Sequence, residues 1–145
     1  MATIYVNGIA REVDASSFNS GKPEVTLDYL KRTKADIITH SRNKALEELV
    51  TAWDGDTWDA NEATSNRIAS ALSMVREAGS LGIFTPPAIP WRTYDNKDRT
   101  LTIAELTQMG AAVFLAQQTV WGKQAQLKNA IEAARTEEEL EQIQW

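Results

Sequence analysis

The chain has no cysteine and a single histidine, His40. The first absence excludes disulfides, thiolate metal sites and a cysteine nucleophile. The second excludes, within one protomer, a poly-His zinc site and a His-Glu-x-x-His metalloprotease site. No apolar run approaches the roughly 20 residues that span a bilayer, so membrane insertion is not expected. Basic residues number 15 against 20 acidic ones and form no stripe, so nucleic acid is not an expected partner. Met1 to Tyr5 lack the basic and apolar regions of a secretory signal. The expected location is therefore a cytoplasm or a particle assembled there.

What the chain has is local structure signals in close succession. Its 145 residues fit one compact domain, or a small domain with an appendage. Ile4 and Val6 alternate, Asn7-Gly8 is a type I′ turn pair, and Ile9, Arg11 and Val13 resume the alternation, which predicts a hairpin. Ala15 to Pro23 reads as a linker. Residues 1–25 thus form a hairpin and linker arm, in which Ile4, Val6, Ile9 and Val13 are candidates for strand addition to a neighbouring sheet. Residues 26–145 form a helical domain. Thr26 is the expected N-cap of a long helix with Leu27, Leu30, Ile37 or Ile38, Ala45, Leu46 and Leu49 at helical spacing, ending near Val50.

Thr51 to Trp58 predicts a tight hairpin with either Asp54-Gly55 or Gly55-Asp56 at its turn, and in both registers Trp53 and Trp58 share a face. Asp59 and Glu62 have capping-box spacing, so a helix with Ile68, Ala71, Leu72 and Val75 inward is expected to follow and to close at Gly79 and Gly82. Thr85 to Pro90 reads as a stiff connector, and Trp91 to Tyr94 with Arg99 to Leu101 as another short hairpin. Gly55, Trp53, Trp58 and Trp91 are the structural residues of these hairpins. Thr102 with Glu105 opens a helix that reaches Ala134, on the order of 45 Å long. Thr136 with Glu139 opens a terminal helix through Leu140 and Ile143. The fold class is α+β, mostly helical, with an N-terminal β-hairpin, two or three long helices and short Trp-containing β-hairpins.

The long C-terminal helix carries a ladder of alternating three- and four-residue steps: Ile103, Leu106, Gly110, Val113, Gln117, Val120, Gln124, Leu127 and Ile131. That spacing is the seam of a coiled coil, and polar seam residues are retained chiefly where they fix register or oligomer number. The ladder is a candidate seam for a partner or for a homo-oligomer, dimer or trimer. The competing reading is a local packing face of Val113, Phe114, Leu115, Trp121 and Leu127, with the glutamines exposed.

Other constellations point to no chemistry. Asp54, Asp56, Asp59 and Asn61 invite a calcium loop, but Trp58 and Asp59 fall where the loop wants an oxygen ligand and a glycine. Asp36, His40 and Ser41 invite a triad, yet Ser41 lies about 100° round the helix from His40. An Asp36–His40 surface ion pair is the expected alternative. Gly79-Ser80-Leu81-Gly82 lacks the lysine and the following helix of a phosphate loop. Lys31 to Lys34, with Arg42 and Lys44, reads as a solvated helix face. No catalytic residue, cofactor-binding residue or metal ligand is expected, and no cofactor.

Ala52-Trp53-Asp54-Gly55-Asp56-Thr57-Trp58-Asp59-Ala60, then Ser65-Asn66-Arg67-Ile68, Pro90-Trp91-Arg92-Thr93-Tyr94-Asp95-Asn96 and Leu101-Thr102 follow one another in a set order. Leu127 to Ala134 and Thr136 to Ile143 complete the pattern. Over roughly residues 42 to 145, this order and spacing resemble an uncharacterised domain family of tailed bacteriophages, found in tail-fibre, tail-fibre-assembly and other tail-associated proteins. The resemblance implies a virion tail component made in the host bacterial cytoplasm, with other phage tail or tail-fibre proteins as partners. It implies equally a tail-fibre assembly chaperone absent from the mature virion. It assigns no catalytic residues. A small hydrolase of the host envelope is the third class, and it would require His40.

Overall fold

The computed structural model describes residues 2–6, 9–13, 25–83 and 87–145, the first two spans by backbone alone. Strands β1 (Ala2–Val6) and β2 (Ile9–Val13) pair antiparallel, with Val6 opposite Ile9, Ile4 opposite Arg11 and Ala2 opposite Val13. The expected Asn7-Gly8 turn and the linker of residues 15–23 lie outside the described residues.

Helix α1 (Leu27–Glu47) begins where expected: the Thr26 hydroxyl accepts from the Tyr29 N–H at 3.2 Å. It stops at Glu47, short of Val50, because Val50 opens strand β3 (Val50–Trp53), which pairs with β4 (Asp56–Asp59). Ile38, not Ile37, is the buried member of that pair. Helix α2 (Glu62–Ser80) follows, and its N-cap is Asn61 rather than Asp59: the Asn61 Oδ1 accepts from the Thr64 N–H at 2.9 Å. Asp59 is still in β4, paired with Val50, and Ala60 donates its N–H to the Leu49 carbonyl, so the chain is not free to turn until Asn61. Gly82 (φ +70°) ends the turn after α2.

Strand β5 (Ala88–Arg92) starts earlier than the connector reading allowed, and it contains Pro90 opposite Thr100 of β6 (Asp98–Thr102). The Thr93 N–H donates to the Lys97 carbonyl, so by alternation Trp91 and Ile89 bond toward β6 and the proline nitrogen points away from it, leaving no ladder bond unmade. Helix α3 (Ile103–Ala133) runs as expected, with both bonds of the Thr102–Glu105 capping box present. Helix α4 (Glu137–Glu141) is shorter than expected and ends before Ile143. The molecule is thus a mostly helical α+β fold, with four helices among the described residues. Short antiparallel hairpins follow α1 and α2.

Helix α3 is long because it serves two cores. Near its N-terminus, Leu106, Met109 and Val113 pack with Trp58, Ile68, Trp91 and Leu101. Near its C-terminus, Ile131 packs with Ile38, Ala134 and Leu140. Each aliphatic side chain so buried contributes about 1.5–3 kcal/mol. Lys31 donates to the Glu132 carbonyl, and Arg42 to Gln124, so α1 runs antiparallel to the C-terminal half of α3. Ile68 meets Gly110, and Ala60 meets Gln117, so α2 runs antiparallel to the other half. Helices α1 and α2 therefore follow one another along α3, with the β3–β4 hairpin between them.

Candidate functional site

The β3–β4 turn is built by Asp54 (φ 49°) and Gly55 (φ 78°), the pair of left-handed residues a type I′ turn requires. This settles the register with Asp54-Gly55 at the turn, Trp53 opposite Asp56 and Thr51 opposite Trp58. Trp53 and Trp58 are consequently diagonal on one face, their ring centroids 5.8 Å apart at 56°. The buried Trp58 indole N–H donates to the Trp53 carbonyl at 2.8 Å. Arg99, on β6, reaches across to this turn. Its guanidinium bonds Asp54 at 2.7 Å and also bonds Asp56, and it lies 5.5 Å from the Trp58 ring centroid. Those hydrogen bonds, Asp54 first and Asp56 next, hold the Arg99 pKa above its already high ordinary value. The Tyr94 N–H donates to the Thr57 carbonyl at 2.9 Å, so backbone as well as side chains join the hairpins. Trp91 is buried beneath Arg67, whose guanidinium sits 4.1 Å from its ring centroid.

The ladder on α3 does not face outward. Leu106, Val113, Val120 and Ile131 are buried, and Ile103, Gly110, Gln117, Gln124 and Leu127 are half-buried. The seam read as a partner or oligomer surface is filled by the chain's own α1, α2 and hairpins. A Cβ at Gly110 would lie 3.0 Å from Ile68 Cγ2, which is why glycine stands there. Gln117 Nε2 donates to the Ala60 carbonyl at 2.9 Å, and Gln124 Oε1 accepts from Arg42. The polar seam positions are thus the places where α3 ties down a buried carbonyl and an arginine between the two cores. The competing packing face is overturned as well, because Phe114, Leu115 and Trp121 are exposed. Leu115 sits on the side of α3 turned away from the ladder, while Phe114 and Trp121 flank it, Trp121 one turn beyond Gln117.

Where α1 ends and α2 begins, α3 is left partly uncovered, and a cleft of about 640 Å³ opens. One wall is the end of α1, with Asn43, Leu46 and Glu47; the other is the start of α2, with Asn61, Glu62 and Asn66. Gln117 and Trp121 of α3 form the floor. The amides are partly committed. Asn43 Oδ1 accepts from Arg42, Asn61 Oδ1 accepts from Thr64, and Gln117 donates to Ala60, so an NH2, an NH2 and an oxygen remain for the cleft. The Arg42 guanidinium lies 4.5 Å from the Trp121 ring centroid.

Of the cleft residues, only Gln117, as a seam position, and Asn61, in the rejected calcium loop, stood out in the sequence as candidate site residues. Amides scattered over three helices carry no spacing signal, and only the fold brings them together. One available signal was Glu47, an acidic residue in the last turn of a helix, where the dipole disfavours it. Asp36 and His40 are exposed on α1 and form no ion pair among the described residues, whose ion pairs all involve the β3–β4 and β5–β6 hairpins. Asp54 and Asp56, taken up by Arg99, belong to the hairpin clamp. Among the described residues there is no cluster of acidic or histidine side chains placed to hold a metal ion, and no helix long and apolar enough to cross a membrane.

Neither a curated protein nor a solved structure matches the chain. The defining sequence pattern of a domain of unknown function, DUF4376, matches residues 29–144, from the first turn of α1 through α4. The chain belongs to the DUF4376 family.

Proposed function

We propose that the chain is a non-enzymatic structural component of a bacteriophage tail, at the baseplate or the fibre attachment, and that it acts by protein–protein assembly. The observation that carries this reading is the ordered set of motifs resembling tail-associated proteins: the Asp-Gly tryptophan hairpin, the Arg67-Ile68 helix, the Trp91 strand ending in Asp95-Asn96, and the long helix with its acidic last turn. Support comes also from the exposed side chains. Phe114 and Leu115 on α3, and Met74 and Leu81 at α2, keep more than half of their surface in water, which suits a molecule that meets other proteins. The β1–β2 hairpin offers strand edges to a neighbouring sheet.

Mass spectrometry of purified particles from a lysate containing this protein tests the reading. A structural component is recovered with the particles in a fixed ratio to the other tail proteins. A chaperone is abundant in the lysate and missing from the particles, and that result moves the function from the virion to its assembly. Absence of any co-purification with tail or fibre proteins overturns both.

A further inference from the structure

We infer that the cleft between the end of α1, the start of α2 and the middle of α3 is a docking site for an extended peptide segment carrying a lysine or arginine side chain. The inference deepens the assembly reading and rests on it for its biological setting. An extended backbone makes a definite demand on its receptor. Each residue offers one N–H and one C=O, and both lose water on docking. A primary amide side chain is the group that can answer either of them, because it holds a donor and an acceptor in one plane. Asn43, Asn61, Asn66 and Gln117 bring such groups to the cleft from three helices. At about 640 Å³ the cleft is of the size that admits a short segment rather than a single ion.

Charge then chooses the side chain. Among the residues lining the cleft, the charged ones are Glu47 and Glu62, one on each wall, and no cation lines it. The two carboxylates set the balance against an anionic ligand, with Arg42 at the rim against Trp121 as the nearest cation. Glu62 sits in the first turn of α2, where the helix dipole favours a carboxylate. Glu47 does not have that excuse. It occupies the last turn of α1, followed by Glu48 at the C-cap, at the negative end of that helix dipole. A carboxylate held at the wrong end of a helix deepens the negative potential of the cleft, which is what a docking cation needs and what the fold does not. Trp121 completes the site: its indole is 43% exposed. Arg42 already shows that a guanidinium rests against this ring.

The test uses the full chain and short blocked peptides of alanine and serine with one central arginine, matched peptides with glutamate instead, and a chito-oligosaccharide, each titrated by NMR at low salt. The Trp121 indole N–H signal, assigned through Trp121→Phe, is the reporter. The arginine peptide is expected to shift that signal and the side-chain amides of Asn61 and Gln117, while the glutamate peptide and the sugar do not. Glu47→Gln is expected to weaken binding about tenfold, the loss of one charge-assisted contact. The same substitution raises the thermal midpoint, whereas loss of a merely structural contact would lower it. Shifts caused by the sugar but not by the peptide, equal binding of both peptides, or no shift with any of the three overturns the proposal. The outcome is independent of the particle experiment: peptide binding by a protein missing from virions fails the tail reading alone, and a virion protein with an inert cleft fails this inference alone.

Discussion

Gly110 and Gly122 lie on the same helix and have opposite reasons for being there. A Cβ at Gly110 runs into Ile68 Cγ2 at 3.0 Å, and Ile68 is itself held in the core at 4% exposure. A Cβ at Gly122 meets nothing within 4 Å. Alanine is better than glycine inside a helix by about 0.8–1 kcal/mol. Gly122→Ala should therefore raise stability by about that amount in urea denaturation, while Gly110→Ala forfeits the gain and Gly110→Val costs about 1–3 kcal/mol by overpacking. Equal stabilisation by both alanines would show that α3 and α2 are not in close contact. Gln117 is a second residue with a definite task. Its Nε2 satisfies the carbonyl of Ala60, a residue with no exposed surface. Gln117→Leu leaves that carbonyl without its partner, and the expected cost is about 1–3 kcal/mol with no change in the solution mass of the protein. A changed mass with undiminished stability would return Gln117 to an intermolecular seam.

At the scale of elements, the hairpins and α3 are separate devices with separable energetics. Thr102→Ala removes the hydroxyl of a complete capping box and should cost about 1 kcal/mol, read from the denaturation midpoint. Arg99 joins the hairpins through side chains that stay partly in water, so the ion pairs themselves are worth little. Arg99→Lys should accordingly lower the denaturation midpoint only slightly. Arg99→Ala costs more than the lysine variant, because it also uncovers the Trp58 ring. If the two variants are equally stable, the contact with Trp58 contributes nothing. These elements were also the legible part of the sequence. Capping boxes, an Asp-Gly turn and a period of 3.6 are local rules, and Thr26, Thr102 and Asp54-Gly55 obeyed them. Two of the misplacements share one cause: a neighbouring strand decided where α1 had to end and where α2 could start. Asp59 has the chemistry of a cap but is paired to Val50, and Asn61 inherits the role. Which side of α3 faces inward is not local at all. Phe114 and Leu115 are more apolar than Gly110, Gln117 and Gln124, yet the second set faces the chain because Ile68, Ala60 and Arg42 are there to meet it. The cleft was illegible for the same reason, since it is a gap between two helices that only the third one aligns.

For the whole molecule, one helix shared by two cores has a mechanical consequence. The core near the start of α3 contains four large partners from the hairpins and α2, Trp58, Ile68, Trp91 and Leu101, while the core near its end has Ile38, Ala134 and Leu140 as the buried partners of Ile131. Between them α3 carries Gln117 and Gln124, whose contacts are polar, and Val120 as the buried apolar residue, so only a narrow hydrophobic strip couples the cores besides the continuity of the helix itself. Native-state hydrogen exchange should reveal this as lower opening free energies for residues 127–133 of α3 and the first turns of α1 than for residues 104–113. Breaking the helix at the junction makes the coupling measurable. Thr119 is exposed, and its N–H lies one turn beyond the Leu115 carbonyl. Proline at this position removes the main-chain bond and clashes with that carbonyl, at a cost of about 3 kcal/mol. In Thr119→Pro the second core, which includes Trp145, should melt at lower denaturant than the first, which includes Trp58 and Trp91. Tryptophan fluorescence compared with and without Trp145→Phe separates the two transitions. Two midpoints in the proline variant against one in the parent chain are the expected result. A single coincident transition in both would mean that the cores are joined by more than α3, and that the cleft between α1 and α2 is spanned by contacts stronger than the amides seen there.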